Sequence, residues 1–498
     1  MRKHSDEKLM MKLCDASLDG LPDRILKPSY NRSKLSPGIV HIGLGNFHRA
    51  HQAWYLHRLM QQGLALDWAI VGAGVRPYDE DQRLKLAAQD YMTTLIELSP
   101  QCRSAEVIGS MIDYVPIEHG NAQLIEQMAQ PEIRIVSLTV TEGGYYIDPV
   151  TKRFDAANLD ILFDATYTKN PKTAFGAIVA ALRLRRDRGI GPFTGMSCDN
   201  LQGNGTILRQ TVVSLARMSD PKLATWIDTN CSFPNSMVDC IVPATGTKEC
   251  ELVQALGVDD AVPVTHENFR QWVIENDFCV GRPDWDKVGV TFTDNVHDFE
   301  AMKIRILNGG HQLISGVGEL LALGTIADCM AHAKVAALFD KVAREEIAPL
   351  VEPVLGMTPL AYIELIKRRF SNPHILDTTR RVAFDGSSRH PGFIIPSIRT
   401  GLARGAPVDG LAFVSAVWAR MCEGTREDGS RIEPNDPVWD DLQPVAKAAQ
   451  TDPIVWLLQD QYYGDLAKQL RFANSFDKWL RMIWAVGLET TIDSYLES

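Results

Sequence analysis

The chain has 498 residues, 45% of them hydrophobic and 23% charged, with a formal net charge of -11. That length exceeds what one compact core holds, and the apolar content excludes a largely disordered chain. The acidic balance argues against a nucleic-acid partner or an anionic membrane surface, both of which call for basic patches. The nine cysteines are an odd, dispersed set with no CxxC pair, which reads as reduced thiols of a cytoplasmic protein. The N-terminal residues lack the apolar segment of a secretory signal. The longest apolar stretch, near Leu313 to Ala327, is broken by Glu319 and glycines, and falls short of the roughly 18–20 residues of a membrane span.

Residues 1–37 are polar and carry Pro22, Pro28 and Pro37, so a surface arm with short helical pieces at most is expected. Gly38 to Gly45 is a short apolar run entering glycines, a buried strand ending in a tight turn. Phe47 to Gln62 has helical periodicity, and Gly63 closes it. A second strand at Trp68–Val75 completes a strand–helix–strand unit. A third strand is expected at Tyr91–Leu98 and a fourth at Ile133–Thr141. A helix over Thr173–Arg186, a strand at Phe193–Cys198 and a helix over Asn204–Ala216 follow. This alternation predicts a doubly wound, mainly parallel sheet. From about residue 295 onward strand signals become rare. Phe299–Gly324, Ala331–Ile347, Pro359–Phe370, Gly410–Cys422, Pro437–Ala449 and Phe476–Val486 read as helices. Two domains are expected, residues 1–295 and 296–498, the second mostly α-helical.

The turn Gly43-Leu-Gly45-Asn46-Phe47-His48 follows a strand and opens a helix, the context a dinucleotide-binding turn requires. The first glycine permits the tight turn, and the second lets backbone approach a pyrophosphate at the helix N-terminus. The third glycine of that pattern is replaced by His48. An acid is expected at the end of the second strand, and Asp79 is the candidate. Its carboxylate would bind ribose hydroxyls and favour NAD, whereas Arg76 can accept the 2′-phosphate of NADP. Two further signals are set aside. Tyr30 and Lys34 have Tyr-x3-Lys spacing but precede the first strand. His48 and His51 could share a helical face toward a metal, but no third ligand is in evidence.

The segment Gly43 to Gln52 resembles the polyol-specific long-chain dehydrogenase/reductase family. Further matches come in order: Thr-Glu-Gly-Gly-Tyr (141–145), Ser-Cys-Asp-Asn-Leu (197–201), Phe-Pro-Asn-Ser-Met-Val-Asp (233–239), Lys-Ile-Arg-Ile-Leu-Asn-Gly-Gly-His (303–311) and Asp-Gly-Ser-Ser (385–388). The Lys-x4-Asn-x2-His signature is highly specific, and the resemblance spans nearly the whole chain. It implies a Rossmann-type domain followed by a helical domain, with the active site in the cleft between them. It also implies NAD or NADP, no metal, and a small polyol or keto sugar as substrate.

The resemblance assigns Lys303 as catalytic base. A free lysine titrates near 10.4, so burial or a neighbouring positive charge must lower it toward about 7–8. Without the resemblance, a lone helical lysine reads as solvent-facing. At 100° per residue, Lys303, His311 and Asn308 fall at about 0°, 80° and 140° on one helix face. Lys303 and His311 are then about 12 Å apart along the axis. They must converge on a substrate lying along the helix, or Gly309-Gly310 must distort it. The resemblance makes Asn308 and Asn200 donors to the developing alkoxide, and His311 an orienting residue. Glu142 is implied near a proton exit, and Asp239, Arg381 and Arg389 as substrate contacts. Arg389 stands where members acting on mannitol carry a lysine, and Tyr78 where they carry an acid. A guanidinium suits a carboxylate partner, which makes a keto acid more plausible. The expected reaction interconverts a hexitol such as mannitol with its 2-keto sugar. The alternatives are a hexuronate reductase acting on fructuronate or tagaturonate, an arabinitol-type pentitol dehydrogenase, and a catalytically silent cofactor sensor. Members of the family are often monomers.

Overall fold

In the computed structural model, residues 10–100, 103–148 and 153–498 are described. The chain divides into two compact units that meet at Val296 and His297.

The first unit is built on a five-stranded parallel sheet. Its strands are β1 (Pro37–Ile42), β2 (Ala69–Ala73), β3 (Met111–Tyr114), β4 (Ile135–Leu138) and β5 (Thr194–Ser197), in the spatial order β3-β2-β1-β4-β5. This is the doubly wound order expected of a dinucleotide-binding sheet. Ile39, Val40, Ile42, Ile135, Val136 and Leu138 are all fully buried. Continuous β-branched and leucine runs of this kind suit strands covered on both faces. Helices Ala174–Asp187 and Asn204–Ser219 pack against the sheet.

Four sequence expectations change here. The strand Thr93–Leu98 is real but does not belong to the central sheet. It pairs antiparallel with Arg103–Ile108 and parallel with Val264–Glu267 in a separate four-stranded sheet. The third central strand is Met111–Tyr114 instead. The arm before Pro37 is more than surface coil. Met11–Lys12 pairs with Val258–Asp259, and Ile25–Leu26 pairs with Arg103–Ile108, with Leu13, Leu21 and Ile25 buried. The helix after the glycine turn is broken into α1 (Asn46–Ala50) and α2 (Gln52–Gln61) by His51, whose φ and ψ are -120° and -93°. Gly63 closes α2 with φ of +75°, in the left-handed region. Asp79 is not at a strand end: it is the first residue of the helix Asp79–Ala87.

In the second unit, no strand is assigned among the described residues. Helices Pro359–Phe370, Asp409–Cys422, Trp439–Ala449 and Leu470–Val486 enclose one apolar core. The sequence reading missed the pair Gly386–Phe393 and Ile395–Arg404, whose prolines and glycine mask a helical pattern. The expected helix over 331–347 is interrupted at His332, then runs as Ala333–Val342 into a π-helical turn, Ala343–Ile347. The expected helix over 299–324 also differs. Val296–Met302 is α-helical, Lys303–Asn308 is π-helical, and Gly309–Leu320 is α-helical again. No helix among the described residues is long and apolar enough to cross a membrane.

Candidate active site

In the first unit, β1 delivers the chain to a turn at Gly43, whose φ is +92°. A Cβ there would collide with the Thr139 carbonyl, so glycine is required on both conformational and steric grounds. Gly43 N–H donates to the Ala73 carbonyl at 2.9 Å. Gly45 is exposed, and a Cβ on it would meet nothing within 4 Å. The backbone at Gly45 thus borders open space, a cleft of about 500 Å³. The cleft is lined by the Gly43–Gly45 turn, Val75–Asp79 from the loop after β2, Thr139–Thr141 after β4, and Lys172–Phe175 at the start of the next helix. That position, outside the carboxyl ends of parallel strands, is where open α/β sheets bind ligands. The observed cradle fits a dinucleotide. Since α1 is only five residues long, its macrodipole is small.

Asp79 turns its carboxylate inward. Oδ2 accepts hydrogen bonds from the Val75 and Arg76 amides, both at 3.1 Å. A Cβ on Gly74 would sit 2.5 Å from the Asp79 Cβ, so the loop closes tightly over the acid. Arg76 is exposed, and its guanidinium donates to the Tyr78 hydroxyl at 3.1 Å. Asn46 commits its side chain elsewhere. Its Nδ2 donates to the Pro243 carbonyl (3.0 Å) and to Thr245 Oγ1 (2.9 Å), and its Oδ1 accepts from Arg49. Phe47 stacks on His51, ring centres 4.8 Å apart. His48, in place of the third glycine, is buried and stacked on His41. Among the described residues, no three His, Cys, Asp or Glu side chains cluster as metal ligands would.

Asn200 is exposed just past β5. Its neighbour Asp199 is buried and accepts from the Val140 and Thr141 amides and the Tyr145 hydroxyl, tying the β4 and β5 ends together. Asp239 is buried at the end of Ser236–Asp239, opposite Gln271. Glu142 begins a 3₁₀ turn, and its side chain lies outside the described residues.

In the second unit, Lys303 and Asn308 are the first and last residues of the π-helical turn, and both are buried. Hydrogen bonds to the fifth residue widen this turn, so the 100° spacing assumed from sequence does not apply across it. Single π-turns recur at functional sites. The distortion precedes the glycines. Gly309 itself is helical, with φ of -61° and ψ of -40°. Gly310 serves packing: a Cβ would approach the Phe339 ring to 2.5 Å. His311 stacks on Phe370, ring centres 4.1 Å apart.

Two buried carboxylates escaped the sequence reading. Glu300, buried one helical turn before Lys303, lies 2.9 Å from His297 Nδ1. Asp377 is buried and accepts from Arg381 Nε at 2.8 Å. Burial raises the Asp377 pKa, while the charges of Arg381 and Arg389 oppose that shift. Arg389 also donates to the Val382 carbonyl at 2.6 Å. The signals were the i, i+3 spacing of Glu300 and Lys303, and the i, i+4 spacing of Asp377 and Arg381.

A doubly wound dinucleotide-type domain followed by a helical domain bearing a buried lysine suits a nicotinamide-dependent dehydrogenase. Comparison with known proteins gives the particular family. Residues 37–287 match the mannitol dehydrogenase Rossmann domain, and residues 295–484 match the mannitol dehydrogenase C-terminal domain. The chain belongs to the mannitol dehydrogenase family. It is 52% identical over 472 residues to a mannitol 2-dehydrogenase of Cereibacter sphaeroides, covering 95% of this chain and 99% of that one. It is 38% identical over 483 residues to a mannitol 2-dehydrogenase of Aspergillus terreus, covering 95% and 96%. Among solved structures, the Pseudomonas fluorescens mannitol 2-dehydrogenase in ternary complex with NAD and D-mannitol aligns with a TM-score of 0.88 at 38% identity, covering 98% of this chain and all of that one. A substrate-free D-sorbitol dehydrogenase aligns with a TM-score of 0.89 at 33% identity, covering 97% and 100%.

Proposed function

We propose that this protein is an NAD-dependent polyol dehydrogenase that interconverts a hexitol, mannitol foremost, with its 2-keto sugar. The observation that carries the reading is the buried Lys303–Asn308 turn in a chain so similar to mannitol 2-dehydrogenases. Residues 1–295 form the cofactor domain. Gly43 and Gly45 hold the pyrophosphate, with Asn46 and Phe47 completing the turn. Asp79, fixed by the Val75 and Arg76 amides, sets the ribose side of the cleft and favours NAD. Residues 296–498 form the catalytic domain. Bound NAD supplies a hydride acceptor. Lys303, buried at the start of the π-turn, takes the proton of the substrate hydroxyl. Asn308 and Asn200 donate to the alkoxide as it develops. His311, its ring held flat on Phe370, orients the hydroxyl. Asp239, Arg381 and Arg389 bind the remaining hydroxyls, and Glu142 lies on the proton's way to water. The eight described cysteines form no disulfide with one another, which fits a reducing cytoplasm, and a monomer is the expected state.

One observation favours a second reading. Arg389, with Arg381 nearby, offers a planar fork suited to a carboxylate, so fructuronate or tagaturonate is the competing substrate class. Oxidation of NADH and of NADPH with fructose, sorbose, fructuronate and tagaturonate separates these readings. Turnover of fructose with NADH is expected. Turnover of the uronates alone would assign the hexuronate reductase, and no turnover with any polyol or keto sugar despite NADH binding would assign a cofactor sensor.

A further inference from the structure

Two polar side chains interrupt the apolar centre of the first unit's sheet. His41 of β1 lies opposite Ser137 of β4, and both are fully buried. His41 Nδ1 is 2.8 Å from Ser137 Oγ, and His41 Nε2 is 2.9 Å from Thr139 Oγ1. The Thr139 hydroxyl donates to the Gly43 carbonyl. Ser137 Oγ also lies 2.9 Å from the Oε1 end of the Gln52 amide at the start of α2. His48 stacks on His41 with ring centres 3.4 Å apart. Neither His48 nitrogen has a hydrogen-bond partner, and neither does Gln52 Nε2. Burial lowers the His41 pKa to about 3 and that of His48 well below the ordinary value, while the Gln52 amide pulls both the other way. Both rings are therefore neutral.

Proton counting orders this cluster. A neutral imidazole carries one N–H, and each hydroxyl donates once. The Gly43 carbonyl can only accept, so it takes the Thr139 proton. Thr139 Oγ1 must then accept from His41 Nε2–H. His41 Nδ1 is left as a lone pair, and Ser137 must donate to it. Ser137 Oγ in turn needs a donor, which the Gln52 amide supplies when turned end for end. The two ends of an amide have nearly the same shape, so hydrogen bonding decides its orientation. Every link then has one donor and one acceptor.

We propose that His41 is a positioning residue for the cofactor turn, through a one-way hydrogen-bond chain from Gln52 through Ser137, His41 and Thr139 to the Gly43 carbonyl. With Gly43 N–H held by Ala73, both polar groups of the left-handed residue are fixed. The turn is thereby set before the cofactor arrives, which lowers the ordering cost of binding. The role rests on the reading that this turn carries the pyrophosphate.

Two measurements test it. Nitrogen-15 NMR of the full-length, histidine-labelled protein, with His41 assigned by its loss in His41→Gln, should show Nε2–H and an unprotonated Nδ1. An Nδ1–H tautomer or an imidazolium would overturn the chain. Thr139→Val keeps the shape and removes the hydroxyl. Fluorescence titration should show NADH binding weakened about tenfold, the size of one lost hydrogen bond. Thr139→Ser should restore it. Wild-type affinity in Thr139→Val would sink the positioning role, as would failure of Thr139→Ser to restore binding. Wild-type protein that binds neither NADH nor NADPH would sink the cofactor reading and the positioning role together, while the tautomer would still report whether the chain exists.

Discussion

The glycine pairs Gly43/Gly45 of the first unit and Gly309/Gly310 of the second unit are similar in sequence but serve different needs. The first pair gives the backbone freedom and room. Gly43 adopts a φ that other residues rarely tolerate, and Gly45 borders the open cleft. The second pair is ordinary helix. What Gly310 gives is volume, letting Gly309–Leu320 approach the Phe339 ring of the neighbouring helix. The distortion that glycines suggest at this site lies instead in the π-turn of Lys303–Asn308, which contains none. A glycine in a motif thus marks either a backbone conformation or a close approach, and only the neighbours tell which.

If the two regions divide the work as cofactor turn and catalytic helix, substitutions in them should fail differently. The largest effect is expected for Lys303→Ala. Steady-state turnover should fall by about 10²–10⁴, the range for a lost general base, while NADH affinity by fluorescence stays within about twofold. Retained turnover would remove Lys303 from the base role. Next comes the first glycine pair. Gly43→Ala forces an unfavourable φ and a backbone clash, about 1–3 kcal/mol, so NADH affinity should fall about 10–100-fold. Gly45→Ala has room in the protein, so its melting temperature should match wild type while NADH binding weakens. Wild-type cofactor affinity in both variants would show that the turn does not carry the pyrophosphate. The smallest effect should come from Gly310→Ala. Overpacking against Phe339 should cost about 1–3 kcal/mol and lower the melting temperature by several degrees. NADH affinity should not change, and Phe339→Leu in the same chain should recover part of the loss. An unaltered melting temperature in Gly310→Ala would contradict the packing role.

Much of this was legible in one dimension, because it depends on local pattern. The strand into Gly43, the second strand, Ile135–Leu138 and the helices at 174–187 and 359–370 all carry periodicity or capping that neighbouring residues decide. Partner choice was not legible. Thr93–Leu98 is a good strand, yet nothing in its six residues says that it pairs outside the central sheet. Met111–Tyr114 holds a central place but is too short and mixed to announce itself. Asn46 reads as a cofactor residue, yet its side chain is bound to Pro243 and Thr245, nearly 200 residues away.

The sequence by itself determined the family and the two-part architecture, and it named the candidate residues for the chemistry. Each of these rests on residue type and spacing, which are properties of the chain. Only tertiary structure decided how those residues are presented. It turned a regular helix into a π-turn at Lys303, pointed the Asp79 carboxylate into its own loop, and set His41 beside Ser137 and Thr139 under the Gly43 turn. Those outcomes depend on which distant groups compete for the same hydrogen bonds and the same space, and that competition exists only once the chain has folded.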